Sequence, residues 1–257
     1  MRDSVMILGS GMMGSGIGAM SALAGHKTLL VDVDEAHVRA GLEKASACIR
    51  LREENGLNTP EEAARALTLL STDTDMEKAA ENAFLVIEAI IENMEAKQAL
   101  FARLDGLLPP EVPICSNTSG MRITEIGKLC RHPERTVTTH FWLPAHLVPL
   151  VEVVVGDRTD IAVAERVRDE LKTWGKAPVL VKKDLPGQLA NRVFQAIIRE
   201  SIDIVSSGLA SAEDVDTAIS CGMAMRFPEW GPLKHLDAIG MELGLYVQET
   251  VLPDLCS

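Results

Sequence analysis

The residues best suited to chemistry in this chain are a histidine and a carboxylate on either side of an apolar loop. His140 precedes Phe141-Trp-Leu-Pro, and Glu152 lies within Val151-Glu-Val-Val-Val. A carboxylate inside an apolar strand is costly unless it has a partner, and an imidazole is a suitable one. Such a pair predicts a general base, because the carboxylate fixes the tautomer of the ring and stabilises the imidazolium. The alternative is a strand whose glutamate faces solvent.

A glycine-rich turn near the start of the chain indicates a cofactor. Gly9, Gly11 and Gly14 follow the apolar run 5–8 in G-x-G-x-x-G spacing. These glycines permit a tight turn, the approach of a pyrophosphate and close packing of helix on strand, and the helix N-terminus attracts phosphates. Asp32 ends the next β-rich run, at the distance expected for a carboxylate that binds a ribose 2′-hydroxyl. Because a carboxylate repels the 2′-phosphate of NADP, we predict NAD; a purely structural turn would leave Asp32 unexplained.

Further charged residues follow a buried strand. The apolar run 83–91 carries Glu88 and is followed by Glu92, and Lys97 lies in the next predicted helix. Charges at the carboxyl end of a strand lie where open α/β sheets bind ligands. The alternative for Glu92 and Lys97 is a surface salt bridge, and their spacing does not decide between the two.

Alternating apolar runs and helical periodicity predict the elements that would position these residues. Predicted strands cover residues 5–8, 26–31, 67–72, 83–92, 113–116, 136–141, 150–155 and 179–181. Helices are expected between most of them, with Thr74 as the N-cap of a short one. After Gly187 the pattern is helical only, over residues 189–207, 212–220 and 233–252. We therefore predict an α/β chain: a doubly wound, Rossmann-type parallel sheet domain (residues 1–184), then a smaller all-helical domain (residues 185–257).

Composition narrows the classes of partner. The 257 residues carry a net charge of −12, which argues against non-specific binding to nucleic acid or anionic lipid. Five scattered cysteines without a C-x-x-C pair are typical of reduced thiols rather than of disulfides or a metal site. No signal peptide and no apolar run of membrane-spanning length is visible. We expect a cytoplasmic protein that binds a small-molecule substrate and no metal, nucleic acid or membrane.

The order of these motifs resembles the L-3-hydroxyacyl-CoA dehydrogenase family, from residue 5 almost to the C-terminus. The matching motifs are Gly9-Ser-Gly-Met-Met-Gly, Glu88-Ala-Ile-Ile-Glu-Asn, Ser116-Asn-Thr-Ser, His140-Phe, Leu150-Val-Glu-Val-Val, Asp184-Leu-Pro-Gly, Asn191-Arg192 and Gly231-Pro-Leu. The resemblance implies NAD-dependent interconversion of an L-3-hydroxyacyl-CoA and a 3-ketoacyl-CoA in fatty acid metabolism, and a homodimer that pairs through the helical domain. The family normally continues with more helices than follow residue 186 here, so a truncated helical domain is expected.

The resemblance also assigns roles to single residues. His140 would be the catalytic base and Glu152 its orienting partner, while Ser119 and Asn191 would hydrogen-bond the substrate oxygen and the histidine region. The cofactor-binding residues would be Gly9, Gly11, Met12, Met13, Gly14, Asp32, Glu92, Lys97, Ser116 and Asn117. The last two would line the nicotinamide pocket.

Some positions depart from the family pattern and leave the substrate open. Trp142 and Leu143 occupy the third and fourth places of the common His-Phe-Phe-Asn-Pro, and Pro149 stands where acyl-CoA members often carry Lys. The stretch 148–152 looks more like relatives that act on free hydroxy acids, such as gulonate and carnitine dehydrogenases, whereas Arg122 looks like the acyl-CoA branch. The alternatives are therefore a free 3-hydroxy acid as substrate, or a non-catalytic NAD-binding or structural protein.

Overall fold

An eight-stranded sheet forms the centre of the first part of the chain. In the computed structural model, which describes residues 2–256, the strands are β1 (Ser4–Leu8), β2 (Lys27–Val31), β3 (Leu70–Asp73), β4 (Ala83–Glu88), β5 (Ile114–Ser116), β6 (Thr136–Phe141), β7 (Leu150–Val154) and β8 (Ala177–Val181). They lie in the order β3-β2-β1-β4-β5-β6-β7-β8. Neighbouring strands are parallel except β6 and β7, which are antiparallel. The predicted doubly wound α/β fold is confirmed, with this one reversal.

The reversal at β7 follows from the length of the connection. Residues 142–149 join β6 to β7 without a helix, and so short a connection returns the chain antiparallel to the strand it leaves. In the register of the pair, His140 lies opposite Glu152. The histidine and the carboxylate are thus direct neighbours across the sheet.

Helices cover both faces of this sheet. They are α1 (Met12–Leu23), α2 (Glu35–Glu54), α3 (Pro60–Leu69), α4 (Met76–Ala80), α5 (Met94–Leu107), α6 (Ile123–Ile126) and α7 (Ile161–Thr173). Val5 and Ile7 of β1 belong to a hydrophobic cluster with α1, α2, α3 and α7, whereas Met6 and Leu8 belong to one with α4, α5 and α6. Because successive side chains of a strand point to opposite faces, β1 is buried on both.

Two strand predictions in this unit are wrong at one end. The predicted strand 67–72 begins only at Leu70, because α3 starts from a capping box of Thr59 and Glu62 and continues through the apolar residues assigned to the strand. The predicted strand 83–92 already ends at Glu88. The residues after Glu88 form the loop that leads to α5.

The second unit is helical. Contacts divide the chain after Leu189, and within residues 190–256 the helices are α8 (Ala190–Ser206), α9 (Ala212–Ala218), α10 (Pro232–Ile239) and α11 (Met241–Val251), with a π-helical turn at Ile219–Met223. Several large apolar side chains are exposed on it, among them Phe194, Leu233 and Tyr246. Nowhere in residues 2–256 is a helix long and apolar enough to cross a membrane.

Two helix predictions are also wrong. Helix α4 is capped by Asp75 rather than Thr74, since the Asp75 carboxylate accepts the N–H of Lys78. The predicted helix 233–252 is two helices, because Gly240 adopts a φ of +93° between α10 and α11. A residue with that φ cannot continue an α-helix.

Candidate active site

The candidate site lies at the carboxyl ends of the parallel strands, where the winding of the sheet changes direction. Strand β1 is bordered by β2 on one side and by β4 on the other, and open α/β sheets bind ligands in the crevice at such a switch point. The glycine loop follows β1 and Asp32 follows β2, while Glu88 ends β4 and Ser116 ends β5. The fold thus brings separate parts of the sequence to one edge.

The glycine loop has one open position. A Cβ on Gly9 would lie 2.6 Å from the Ala89 carbonyl oxygen, and a Cβ on Gly14 would lie 1.8 Å from the carbonyl oxygen of Gly9, so backbone packing requires both glycines. A Cβ on Gly11 would meet nothing within 4 Å. Since protein packing does not require Gly11, the space above it fits a ligand that approaches the backbone, as a pyrophosphate does.

Helix α1 begins at this space. Its N-cap residue is Gly11, which has no side chain to occupy the backbone N–H groups of the first turn. Met12 is 69% exposed, whereas Met13 packs against the core. Open N–H groups and the positive end of the helix dipole attract phosphate. The loop and the helix therefore fit the pyrophosphate of a dinucleotide.

Asp32 is held ionised next to the loop. Its Oδ2 accepts hydrogen bonds from the N–H (2.7 Å) and the hydroxyl (2.8 Å) of Ser10, and its Oδ1 accepts one from the N–H of Val33 (2.8 Å). Partial burial raises the pKa of Asp32, but these hydrogen bonds outweigh burial, and the net pKa lies below its ordinary value. Sequence reasoning named Asp32 and missed Ser10, whose only signal is its place inside the glycine motif.

Lys97 does not form a surface salt bridge. Its side chain is 1% exposed, and its Nζ lies 2.5 Å from Oε1 of Glu88 and 3.3 Å from Oε2 of Glu92. Partial burial raises the pKa of Glu92, but the Thr118 hydroxyl that donates to it and the charge of Lys97 outweigh burial, so the net pKa lies below its ordinary value. The sequence indicated Glu88 as a charge at the ligand-binding end of a buried strand, but no role was predicted for it.

The carboxyl ends of β1, β2, β4 and β5 are called the cofactor edge of the sheet. Ser116 and Asn117 link this cofactor edge to β6, the strand that carries His140. The Ser116 hydroxyl donates to Oε2 of Glu88 at 2.6 Å. The N–H of Asn117 donates to the carbonyl oxygen of Glu88 at 2.8 Å, and its side-chain oxygen accepts the N–H of Phe141 at 2.9 Å. Both residues predicted for the nicotinamide end therefore lie between Glu88 and the strand that carries His140.

His140 and Glu152 form a hydrogen-bonded pair. His140 is 5% exposed and Glu152 is fully buried, and Nδ1 of the ring lies 2.8 Å from Oε2 of the carboxylate. Nε2 lies 3.1 Å from the hydroxyl of Ser119. An ionised carboxylate only accepts hydrogen bonds, so in the neutral ring Nδ1 carries the proton and Nε2 offers a lone pair. The arrangement can take a proton from a hydroxyl group that lies near Ser119.

Two cations hold the loop 142–149 between the strands of this pair. Nζ of Lys176 donates to two carbonyl oxygens of the loop, that of Val148 at 2.9 Å, and a guanidinium nitrogen of Arg52 donates to the carbonyl oxygen of His146 at 2.6 Å. Burial, together with the nearby charge of Arg52, lowers the pKa of Lys176 to about 8. The loop is therefore anchored to both α2 and the start of β8.

Two further donors to Glu152 were not predicted. Nε1 of Trp142 lies 3.1 Å from Oε2, and the N–H of Leu189 lies 2.8 Å from Oε1. Because side chains two apart in a strand share a face, Trp142 had a signal in its spacing from His140. The contact of Leu189 depends on the path of the chain long after β7 and has no local signal.

Asn191 belongs to the second unit, where it lies in the first turn of α8. Its predicted contact with the substrate oxygen stays a prediction, and the other candidate residues all belong to the first unit. Among residues 2–256, no group of three or more His, Cys, Asp or Glu side chains is arranged to hold a metal ion.

A doubly wound sheet that presents a glycine loop to a dinucleotide, with a buried imidazole beside it, is the arrangement of a nicotinamide-dependent dehydrogenase. Residues 4–185 match the description "3-hydroxyacyl-CoA dehydrogenase, NAD binding domain", and residues 187–255 match "3-hydroxyacyl-CoA dehydrogenase, C-terminal domain". The chain belongs to the 3-hydroxyacyl-CoA dehydrogenase family. It is an NAD-dependent oxidoreductase that acts on small molecules.

Some relatives are named for a pyridine carboxylate and others for a hydroxyacyl-CoA. The chain is 33% identical to a 5-formyl-3-hydroxy-2-methylpyridine 4-carboxylate 5-dehydrogenase of Mesorhizobium japonicum, over 99% of this chain and 82% of that protein. It is 36% identical to a probable 3-hydroxybutyryl-CoA dehydrogenase of Bacillus subtilis, over 96% of this chain and 84% of that protein. A crystal structure of an enzyme of the first name, described as an NAD+ dependent dismutase, superposes with a TM-score of 0.89 at 32% identity, over 100% of this chain and 82% of that one.

Proposed function

We propose that the protein interconverts an L-3-hydroxyacyl-CoA and a 3-ketoacyl-CoA by hydride transfer, with His140 as general base and Glu152 as its orienting partner. The observation that carries the proposal is the buried pair, whose second ring nitrogen, Nε2, contacts the Ser119 hydroxyl at the cofactor edge of the sheet. The family description of both parts of the chain supports a hydroxyacyl-CoA as the substrate class.

NAD, when bound, accepts the hydride from the carbon that carries the hydroxyl group. In our proposal the loop, the helix N-terminus and Asp32 hold its pyrophosphate and adenosine ribose, through Gly9, Gly11, Met12, Met13, Gly14 and Asp32. The second set lies towards the nicotinamide: Glu92, Lys97, Ser116 and Asn117. Since Lys97 already contacts two carboxylates, its proposed role is to fix Glu92 rather than to meet the cofactor as a free cation.

The proton follows a separate path. Nε2 of His140 takes the hydroxyl proton as the hydride leaves, and the Glu152 carboxylate stabilises the imidazolium. In our proposal the Ser119 hydroxyl, 3.1 Å from Nε2, hydrogen-bonds the same substrate oxygen. We assign Asn191 to that oxygen as well, on the family resemblance. In the reverse direction the imidazolium returns the proton to the carbonyl oxygen.

The test is turnover on a panel of substrates with NAD. The expected result is the highest kcat/KM with 3-hydroxybutyryl-CoA or, in reverse, acetoacetyl-CoA and NADH, compared with free 3-hydroxybutyrate, gulonate and carnitine. A preference of about a hundredfold or more for a free acid, about 2.7 kcal/mol of transition-state binding, would overturn the acyl-CoA assignment and leave the dehydrogenase chemistry standing.

A second candidate is the same hydride transfer on a molecule with a free carboxylate. Two observations favour it: the relative that matches over the whole of this chain is named for a pyridine carboxylate with a formyl group, and Arg122 is already engaged. Its guanidinium lies 3.0 Å from Asp157 and 3.8 Å from Asp184, which reduces the positive charge available to CoA phosphates. An aromatic aldehyde with a neighbouring carboxylate therefore belongs in the panel beside the free 3-hydroxy acids.

We also propose a homodimer that pairs through the helical unit. Exposed apolar side chains on that unit support it, with Phe194 51%, Leu233 78% and Tyr246 67% exposed, because soluble proteins rarely leave large apolar patches uncovered. Light scattering after size exclusion is expected to give twice the chain mass. A monomer at all accessible concentrations would contradict the proposal.

We propose a cytoplasmic location because the cysteines form no disulfide bonds, as is usual for proteins of that compartment. All five cysteines are free, and Cys115 and Cys130 are buried. Burial raises the pKa of Cys115 to about 12, so this thiol is inert at neutral pH. Cell fractionation of the native source with an antibody to the chain is expected to place the protein in the cytoplasmic fraction.

A further inference from the structure

The carboxylate of Glu152 has more than one donor on the oxygen that faces the histidine. Oε2 accepts from Nδ1 of His140 at 2.8 Å and from the indole Nε1 of Trp142 at 3.1 Å. The imidazole and indole rings are tilted against each other with centroids 5.9 Å apart. His140 and Trp142 therefore share one acceptor atom, although only the histidine is placed to meet a substrate hydroxyl.

The indole is suited to this position because it donates and cannot accept. Trp Nε1–H is a donor only, so its contact with an ionised carboxylate has one polarity. A phenylalanine at residue 142 would fill similar space and offer no hydrogen bond. The contact is also enclosed, because Glu152 is fully buried, and hydrogen bonds to a buried charge are stronger than those in water.

The indole has two opposing effects on the histidine. It fixes the carboxylate so that Oε2 stays in line with Nδ1, and it withdraws part of the negative charge that would otherwise act on the ring. A carboxylate favours the imidazolium form of a neighbouring histidine, and a donor on that carboxylate weakens the preference. A variant without the indole N–H is therefore expected to need a higher pH than the wild type to keep the ring neutral and basic.

We propose that Trp142 is a positioning residue of the His140–Glu152 pair, and that its indole N–H sets the pH at which His140 becomes an effective base. This inference rests on the proposed role of His140. Ionisable groups that the register places on the same face of the sheet as the pair are Glu88, which aligns with Ser116 and Thr138, and its partner Lys97. Both remain in place when Trp142 is replaced, so they do not contribute to the difference between variants.

The experiment compares Trp142→Phe with the wild type in two measurements. The first is the pH profile of kcat/KM for alcohol oxidation, whose acidic limb is expected to move up by about half to one pH unit. The second is an NMR titration of the His140 ring without substrate, whose midpoint is expected to move in the same direction. Replacing Trp142 with its benzothiophene isostere, which keeps the ring shape and lacks the N–H, should reproduce both shifts.

A matched control exists in the same unit. Nε1 of Trp174 donates to Oε1 of Glu170 at 2.9 Å, so Trp174→Phe removes the same kind of bond away from His140. It is expected to leave both midpoints unchanged. A Trp142→Phe protein whose ring titration is unchanged, or moves down, overturns the inference even if activity falls. A shifted titration in a protein that turns over no substrate of the panel would instead retain the inference and overturn the proposed function.

Discussion

The molecule contains a second group of histidine, glutamate and tryptophan, and it differs from the first in position and alignment. In this second group, Glu170 accepts from the indole of Trp174 and lies 2.8 Å from Nε2 of His26. The His26 nitrogen is not aligned for a hydrogen bond despite that distance. The side chains of His26 and Glu170 are 24% and 25% exposed, whereas those of His140 and Glu152 are 7% and 0% exposed.

The position of the two histidines separates them further. His26 directly precedes β2, at the amino end of a strand, and its ring packs against those of Phe84 and Trp174. His140 lies near the carboxyl end of β6, beside the loop that carries Ser119. The same three residue types therefore give a packed histidine in one place and a candidate base in the other. Burial of the carboxylate and access to the cofactor edge make the difference, not composition.

The largest expected effect is the difference between removing the His140 ring and removing the His26 ring. His140→Gln should lower kcat by about 10² to 10⁴, the usual contribution of a general base, and leave NAD binding nearly unchanged. His26→Gln should keep kcat near the wild-type value. Steady-state kinetics give kcat for both variants, and a fluorescence titration with NAD gives their affinity for the cofactor. A His140→Gln protein with most of its activity would remove the base from the proposed mechanism.

Replacing Glu152 or Glu170 should have a smaller effect than replacing His140, and the two replacements should differ from each other. Glu152→Gln is expected to reduce kcat strongly, because the imidazolium loses its stabilising charge, while Glu170→Gln should affect stability more than turnover. The double variant His140→Gln/Glu152→Gln should be hardly slower than His140→Gln alone, since residues that act as a unit give non-additive effects. Losses that multiply would mean that Glu152 acts independently of the histidine.

A third prediction asks whether the cofactor edge also discriminates by charge. The unmutated protein should prefer NAD to NADP by at least about tenfold in kcat/KM, about 1.4 kcal/mol. Asp32→Ala should relax this preference. Asp34→Ala, which removes an exposed carboxylate nearby, is the control and should retain it. Equal use of both cofactors by the wild type would refute the role of Asp32.

The smallest effect concerns stability at acid pH. The neighbouring His26 ring lowers the pKa of Glu170, burial opposes this, and the Trp174 indole lowers it further, so the net pKa lies below the ordinary value of a glutamate. A group with a depressed folded-state pKa contributes stability above the unfolded-state value and loses it as pH falls through the folded-state value. The free energy of unfolding, measured by urea titration at each pH, should therefore fall more below pH 4.5 for the wild type than for Glu170→Gln, by less than about 1 kcal/mol.

Local sequence predicted the parts of the site that depend on spacing along one segment. The glycine motif and Asp32 are set by a strand, a turn and a helix in succession, and the pairing of His140 with Glu152 follows from the cost of an unpartnered carboxylate in an apolar strand. The geometry places the latter two residues 2.8 Å apart, while their catalytic roles remain proposals.

The parts that sequence reasoning missed depend on register or on distant segments. The ion pair of Glu88 with Lys97 needs the end of β4 and the first turns of α5 to be packed together, and Leu189 reaches Glu152 from beyond β8. The strand predicted at 67–72 failed for a different reason. Leu67 and Leu69 at its start have apolar side chains that serve a helix as well as a strand, so periodicity over so short a run does not separate the two.

The short connection between β6 and β7 has a consequence for the order of folding. Residues 142–149 close a small loop, and closing a small loop costs little chain entropy, so His140 and Glu152 can pair early. The cofactor crevice instead needs segments from Gly9 to Asn117 to assemble, and distant pairings form more slowly. The His140–Glu152 pair should thus form before the crevice does, and pulse-labelled hydrogen exchange would detect protection of the β6 amides ahead of those of β1.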